Sequence, residues 1–351
     1  MGVFDDVLKA DQTLIKNDAA LDYEFLPKIL PFRDGEQKYI ASCIAPLFRD
    51  TSGRNLMIHG PPGIGKTAAT RHVLRELEEK TDNIESVFVN CWRTNTSHKI
   101  ALDICDQVGF KFTQNMRTPD LYKKIAEIVN KRAGVFVFDE IDKAEDYDFL
   151  YTILESVYKK TIIIITNYKE FIIKLDERIK SRLMPEHREF GPYTEKQTGN
   201  ILQERLKYAF FDNVWTEDAF NLVTEKAYSL KDIRQGIFLL KNSALVCEDK
   251  GQKKIQKEHV EEAIKKLSNF AVMGSDELDE DSQFILEIIK KNSGKKIGDL
   301  FKLYEQEGGK QSYKTFQRKL KRLDEGKYLS LTKETGAGGN TTIVNKKITD
   351  F

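Results

Sequence analysis

The sequence predicts an α/β fold, a parallel sheet carrying a phosphate-binding loop, followed by a helical domain and a tail of three helices with a β-hairpin. Three observations predict it. Residues 60–67 read Gly60-Pro61-Pro62-Gly63-Ile64-Gly65-Lys66-Thr67, the G-x-x-x-x-G-K-[ST] pattern at every required position. Between about 23 and 190, short continuous apolar runs alternate with amphipathic stretches, the pattern of strands buried on both faces by helices. From 191 onward the strand signal is lost and helical periodicity takes over.

Composition narrows the class. At 351 residues the chain is long enough for two or three domains, each with its own core. The 56 Lys and Arg nearly balance 55 Asp and Glu, leaving +1, so any nucleic-acid surface must be local. Cys43, Cys91, Cys105 and Cys247 form no C-x-x-C pair, which argues for reduced thiols and against a zinc site. No apolar run approaches the ~20 residues of a membrane span. Asp5 and Asp6 stand where a signal peptide would be basic, so a soluble cytoplasmic protein with no membrane partner is expected.

The elements follow in order. Residues 1–22 mix charges and small residues and read as a loosely held arm. Leu56-Met57-Ile58, Ser86–Val89, Val135–Phe138 and Ile162–Ile165 read as strands, and Leu121, Ile125, Ile128 and Val129 recur at helical spacing. Residues 191–272 read as helical, with Ile201/Leu202/Leu206 and Phe238/Leu239/Leu245/Val246 as apolar stripes. The acidic stretch within 273–282 reads as a solvated linker whose last residues also suit a helix N-terminus. In 283–351, Phe284/Ile285/Ile288/Ile289 mark one helix and Ile297/Leu300/Phe301/Tyr304 a second. Ser312 caps a third, with Tyr313, Phe316, Leu320 and Leu323 on one face. Tyr328–Leu331 and Thr341–Val344 then flank Gly336–Asn340 as a hairpin, which completes a winged helix.

The chemistry starts at the loop. Its glycines let backbone N–H groups close on phosphate oxygens without Cβ interference. Lys66 would reach the β- and γ-phosphates, and Thr67 would sit on Mg²⁺. Asp139, ending a strand, would hold Mg²⁺ through water, and Glu140 would polarise an attacking water. Asn167, ending the next strand, suits a γ-phosphate or water contact. Arg182, with Arg178 competing, would reach a neighbouring subunit's γ-phosphate, and Arg234 would report on γ-phosphate from above. ATP or ADP with Mg²⁺ is the expected ligand.

With these residues in place, the chain over about 20–351 resembles the archaeal origin-recognition/Cdc-type replication initiators, a branch of the AAA+ ATPases. The resemblance rests on the phosphate loop, Asp139-Glu140-Ile141-Asp142 as Walker B, Asn167 as sensor 1 and Asp232-Ile233-Arg234 as sensor 2. The segment Tyr23–Arg33, Ser181-Arg182-Leu183 and the tail also match. It implies a sheet in the order 5-1-4-3-2 under a helical lid. It further implies nucleotide contacts from Leu26, Pro27, Arg33, Ala68, Tyr193 and Arg205. Residues 91–117 resemble the initiator-specific insertion, which in that family touches DNA; here it carries Arg93, Lys99, Lys111 and Arg117. The chain departs from the family where Phe32 replaces a usual His, Met184 a Gly and Gly191 a Pro.

On the third tail helix, Lys314, Arg318, Lys321 and Arg322 face away from the apolar side and suit a major groove. Thr315 and Arg318 are the expected base readers, and the wing with Gly338 and Asn340 would follow the adjacent backbone or minor groove. The resulting expectation is an origin-binding initiator with slow, switch-like ATP hydrolysis, associated with the nucleoid. The resemblance adds the replicative helicase and other initiator subunits as partners. An ATP-gated transcription regulator and a clamp-loader-like ATPase are the alternatives.

Overall fold

In the computed structural model, which describes residues 13–276, 280–309, 311–325, 329–336 and 339–346, the chain divides into units Met1–Val260 and Glu261–Phe351. In the first unit α1 (Asp34–Ile44) precedes β1 (Leu56–His59), and the phosphate loop leads from β1 into α2 (Lys66–Lys80). β2 (Ile84–Asn90), α3 (Ser97–Gln107), α4 (Thr118–Val129) and β3 (Ala133–Asp139) follow. α5 (Asp148–Ser156), β4 (Lys160–Thr166), α6 (Glu177–Leu183) and β5 (Glu186–Glu189) complete the αβ layers.

The five strands are parallel in the order β2-β3-β4-β1-β5, the implied 5-1-4-3-2 read from the other edge. Alternate side chains feed opposite faces, as strand geometry requires. Met57, Phe136, Phe138, Ile162 and Ile164 pack with α3–α6, whereas Leu56, Ile58, Val135, Val137, Ile163 and Ile165 pack with α1 and α2. β5 has no apolar run to reveal it. Its Glu186-His187-Arg188-Glu189 lies at the sheet edge, where charged side chains are tolerated and block further pairing.

The lid follows as α7 (Glu195–Ala209), α8 (Glu217–Leu230), α9 (Ile233–Asp249) and α10 (Lys257–Asp276). A capping box, with Thr194 and Gln197 bonding each other's backbone, starts α7. Leu202, Leu239 and Val246 are buried, but Leu245 is exposed and does not belong to the apolar stripe. The arm is not loose over its described part. Leu14, Ala20 and Leu21 are buried, Ile15 bridges Phe210, and the Leu14 N–H donates to Glu248 at 2.6 Å. Residues 1–12 lie outside the described residues.

The second unit takes in α10 from Glu261 onward and holds α11 (Glu280–Lys291), β6 (Lys295–Lys296), α12 (Ile297–Gln306), α13 (Tyr313–Glu325), β7 (Leu329–Gly336) and β8 (Gly339–Lys346). Its sheet is antiparallel in the order β6-β8-β7. Ile285, Ile288, Ile289, Leu300, Tyr304, Phe316, Leu320 and Leu323 form its core. The hairpin arms run further than the sequence suggests, pairing as far as Gly336 and Gly339; Gly338 lies outside the described residues. The expected linker is also corrected. α10 reaches Asp276 and α11 starts at Glu280, with 277–279 outside the described residues. Asp281 is not a solvated linker residue, because Tyr304 Oη donates to it and Lys319 Nζ lies 3.0 Å away. No helix among the described residues is long and apolar enough to cross a membrane.

Candidate functional site

The loop after β1 takes backbone conformations that side chains resist. Gly63 has φ +72, and a Cβ there would lie 1.8 Å from Asp232 Oδ1; at Gly65, with φ +87, it would lie 2.7 Å from Tyr193 Oη. Asp232 caps α9, and the Ile233 N–H donates to the Gly63 carbonyl at 3.2 Å. The lid helix therefore sits directly on the phosphate loop.

Lys66 begins α2 and is 7% exposed. Its Nζ donates to the Gly60 and Pro61 carbonyls at 2.7 Å each and to Asn167 Oδ1 at 2.8 Å. Burial pushes its pKa down to about 8 against the opposing pull of Asp139. Beside it, the Thr67 hydroxyl donates to Asp139 Oδ2 at 2.8 Å. Asp139 is 3% exposed, and burial raises its pKa while the Thr67 bond lowers it. Glu140 has φ +52, a left-handed conformation uncommon for a residue with a side chain, and its N–H donates to Asp139 Oδ1 at 3.0 Å. β4 lies between β3 and β1, which sets Asn167 between the Asp139 strand end and the loop. Arg234 makes a two-point contact with Asp232, at 3.1 and 2.8 Å, which raises its pKa.

These groups line one cavity of about 450 Å³, within the range of small-molecule sites. Pro62, Gly63, Gly65, Lys66, Thr67 and Ala68 form its floor. Asp139, Glu140, Asn167 and Arg234 also line it, as do Leu26, Pro27, Tyr193 and Arg205.

Four nominated residues support the cavity from behind. The Gly60 and Pro61 carbonyls hold Lys66, and the Ile64 side chain belongs to the core under α2. Arg33 is 5% exposed, donates to the Ile64 and Gly191 carbonyls, and meets Tyr193 Oη at 3.0 Å with its guanidinium over that ring. It fixes the loop and Tyr193 without lining the cavity. Arg182 is also absent from the lining: its Nε meets Glu155 at 2.5 Å and its guanidinium lies over Tyr151. Arg178 is paired with Asp176. Met184 ends α6 at φ +32, the left-handed cap position that favours glycine.

Sequence reasoning missed Asn90, Arg71, Phe25 and Tyr208 as lining residues. Asn90 stands opposite Asp139 in the β2–β3 register, which only strand pairing reveals. Phe25 lies 5.9 Å from Tyr208 and 4.8 Å from the Arg205 guanidinium, an aromatic end with a cation over it.

The donor set fits a nucleoside triphosphate with Mg²⁺. A cradle without Cβ atoms, Lys66 and Arg234 suit the phosphates, and the aromatic end suits a base. The Thr67 hydroxyl and the Asp139 carboxylate would hold Mg²⁺ together with phosphate oxygens and water.

In the second unit, Lys314, Gln317, Arg318, Lys321 and Arg322 form an exposed stripe on α13; Gln317 was not singled out from sequence. Thr315 is half-buried, 3.1 Å from Ser312 Oγ, and its N–H donates to the same oxygen, so it belongs to the helix cap. Asn340 lies in β8 opposite Thr335. In the first unit, Lys99 donates to Asn95 at 3.0 Å, and Arg117, 85% exposed, meets Asp120 at 3.1 Å.

An AAA-domain family model matches residues 49–169, and the Cdc6 AAA+ ATPase-type lid domain matches 199–265. The ORC1-type DNA replication protein 1 of Sulfurisphaera tokodaii is 33% identical over 279 residues, 74% of this chain and 69% of that protein. The chain belongs to the ORC1-type DNA replication protein family. Another ORC1-type relative, DNA replication protein 2 of Methanosarcina mazei, is 28% identical over 97% of this chain and 95% of its own length. The Aeropyrum pernix ORC1 protein, solved in complex with DNA, superposes with a TM-score of 0.72 at 23% identity, covering 95% of this chain and 94% of that one. Cdc6p from Pyrobaculum aerophilum gives 0.65 at 17% identity over 95% of each chain. These likenesses establish the shared fold, and the ORC1-type sequence relatives establish the family.

Proposed function

We propose that this ORC1-type protein is an ATP-dependent replication initiator of the cytoplasm and nucleoid that marks origin DNA and helps recruit the replicative helicase. The observation that carries the switch is the meeting of Lys66, Thr67–Asp139, Glu140, Asn167 and Arg234 around one cavity beneath the lid. Mg²⁺, when bound, neutralises phosphate charge. Lys66 would turn part of its hydrogen bonding from the Gly60 and Pro61 carbonyls toward phosphate oxygens. Glu140 would orient and polarise water for attack at the γ-phosphate, and Asn167 would hold that water or a γ-oxygen. Arg234, on the lid helix that touches Gly63, would sense whether a γ-phosphate is present.

The α13 stripe would dock in a major groove, with Lys314, Lys321 and Arg322 on phosphates and Arg318 toward base edges. The wing and the insertion residues Lys99 and Arg117 would add backbone contacts, and other initiator subunits would bind alongside on the same DNA. Footprinting across genomic DNA with ATP and with ADP tests this reading. Preferential protection of origin repeats over random duplex at moderate salt is expected, and equal protection would overturn it.

A further inference from the structure

We infer that Asp142 is a positioning residue for ATP hydrolysis: through the Thr166 hydroxyl its carboxylate holds the turn bearing Glu140 against the turn bearing Asn167. The inference rests on the hydrolytic role proposed for those two residues.

The two turns need a tie. Pairing between β3 and β4 ends at Phe138 and Ile164, and both Glu140 and Asn167 lie beyond that last ladder pair. Past it, Asp142 Oδ1 accepts from Thr166 Oγ1 at 2.8 Å. Both groups are buried, the Asp142 side chain being 2% exposed and Thr166 1%. The same hydroxyl accepts the Tyr168 N–H at 3.2 Å. A hydroxyl has one proton to give, so donating it to Asp142 turns the oxygen lone pairs toward Tyr168. Asn167 lies between those two bonded residues, and its Oδ1 faces Lys66.

On the other side, Asp142 sits in the 3₁₀ turn Ile141–Lys143, directly after the left-handed Glu140. The Lys143 N–H closes that turn on the Glu140 carbonyl at 2.9 Å. An uncommon backbone conformation persists only where its surroundings over-determine it. A buried carboxylate is costly unless bonded, and the nearest cation, Lys143 Nζ, is 3.8 Å away and partly exposed. The Thr166 hydroxyl is thus the close partner, and the bond fixes the general base and the γ-phosphate contact relative to each other.

The test uses the full chain and the variants T166V, T166S, D142A, T166V/D142A and E140Q. ATP affinity, read with a fluorescent analogue, should stay within about twofold for T166V, T166S and D142A. Single-turnover hydrolysis should fall at least about 10-fold in T166V and D142A and stay near wild type in T166S. The double variant should be no slower than either single one, because both remove one bond. Additive losses, or T166V hydrolysing at the wild-type rate, would overturn the latch. Should T166V prove insoluble, D142A slowed while T166S is not gives the same support, and D142A at the wild-type rate overturns it. Wild type hydrolysing no faster than E140Q would instead remove the hydrolytic reading and the latch with it.

Discussion

Lys66 shows how far a motif residue is defined by what surrounds it. Its identity is legible in the octet, yet its three acceptors come from the loop and from Asn167 on another strand. Burial lowers its pKa to about 8, so the free protein carries a charged Lys66 below that pH and a neutral one above it. An anionic phosphate favours the charged form. ATP binding should therefore take up no proton near pH 7 and approach one proton at pH 9. Affinity should weaken toward about tenfold per pH unit above 8. Calorimetry in buffers of different ionisation enthalpy measures the uptake; none at pH 9 would show that Lys66 stays charged. The left-handed Glu140 and the bond from Thr166 to Asp142 belong to the same scale, and neither has a local sequence signal.

Among the elements, α13 is the most legible, because Phe316, Leu320 and Leu323 recur at helical spacing and are buried. Its outer face follows from theirs. The choice of base readers does not, because Ser312 takes Thr315 into the cap. Replacing Arg318 with Ala should weaken specific DNA binding by about 1–3 kcal/mol if it reads a base, and Thr315→Ala should act mainly through helix stability. Fluorescence anisotropy on specific and random duplexes distinguishes the two; unchanged affinity in R318A would place the DNA surface elsewhere. β5 is the opposite case. Its polar Glu186–Glu189 become a strand by pairing with β1 at an edge, and nothing within those residues announces it.

Across the molecule, the cavity joins segments far apart in the chain: the strap around 23–31, the loop at 60–68, strand ends near 139 and 167, and lid residues 193–237. Arg205 clasps the chain as it enters the strap, donating to the Ala20 carbonyl at 2.9 Å with its guanidinium over Phe25. Arg205→Ala should leave that carbonyl without its charged donor, costing about 1.5–3 kcal/mol of local stability. Faster proteolysis within 13–25 and weaker ATP binding are expected; wild-type cleavage would show that the strap is held elsewhere.

The phosphate loop, the four apolar strands, the acid pair, the lid and the tail helices are legible in the amino-acid sequence alone. Each rests on spacing within a few residues or on a continuous apolar run. Long-range packing sets which residues face the cavity and which brace it. It moved Arg33, Gly60, Pro61 and Ile64 behind the wall, brought in Asn90 and Phe25, and tied the arm to the lid. These outcomes depend on strand order, register and burial, which are set by contacts between residues too distant in sequence for any local pattern to record.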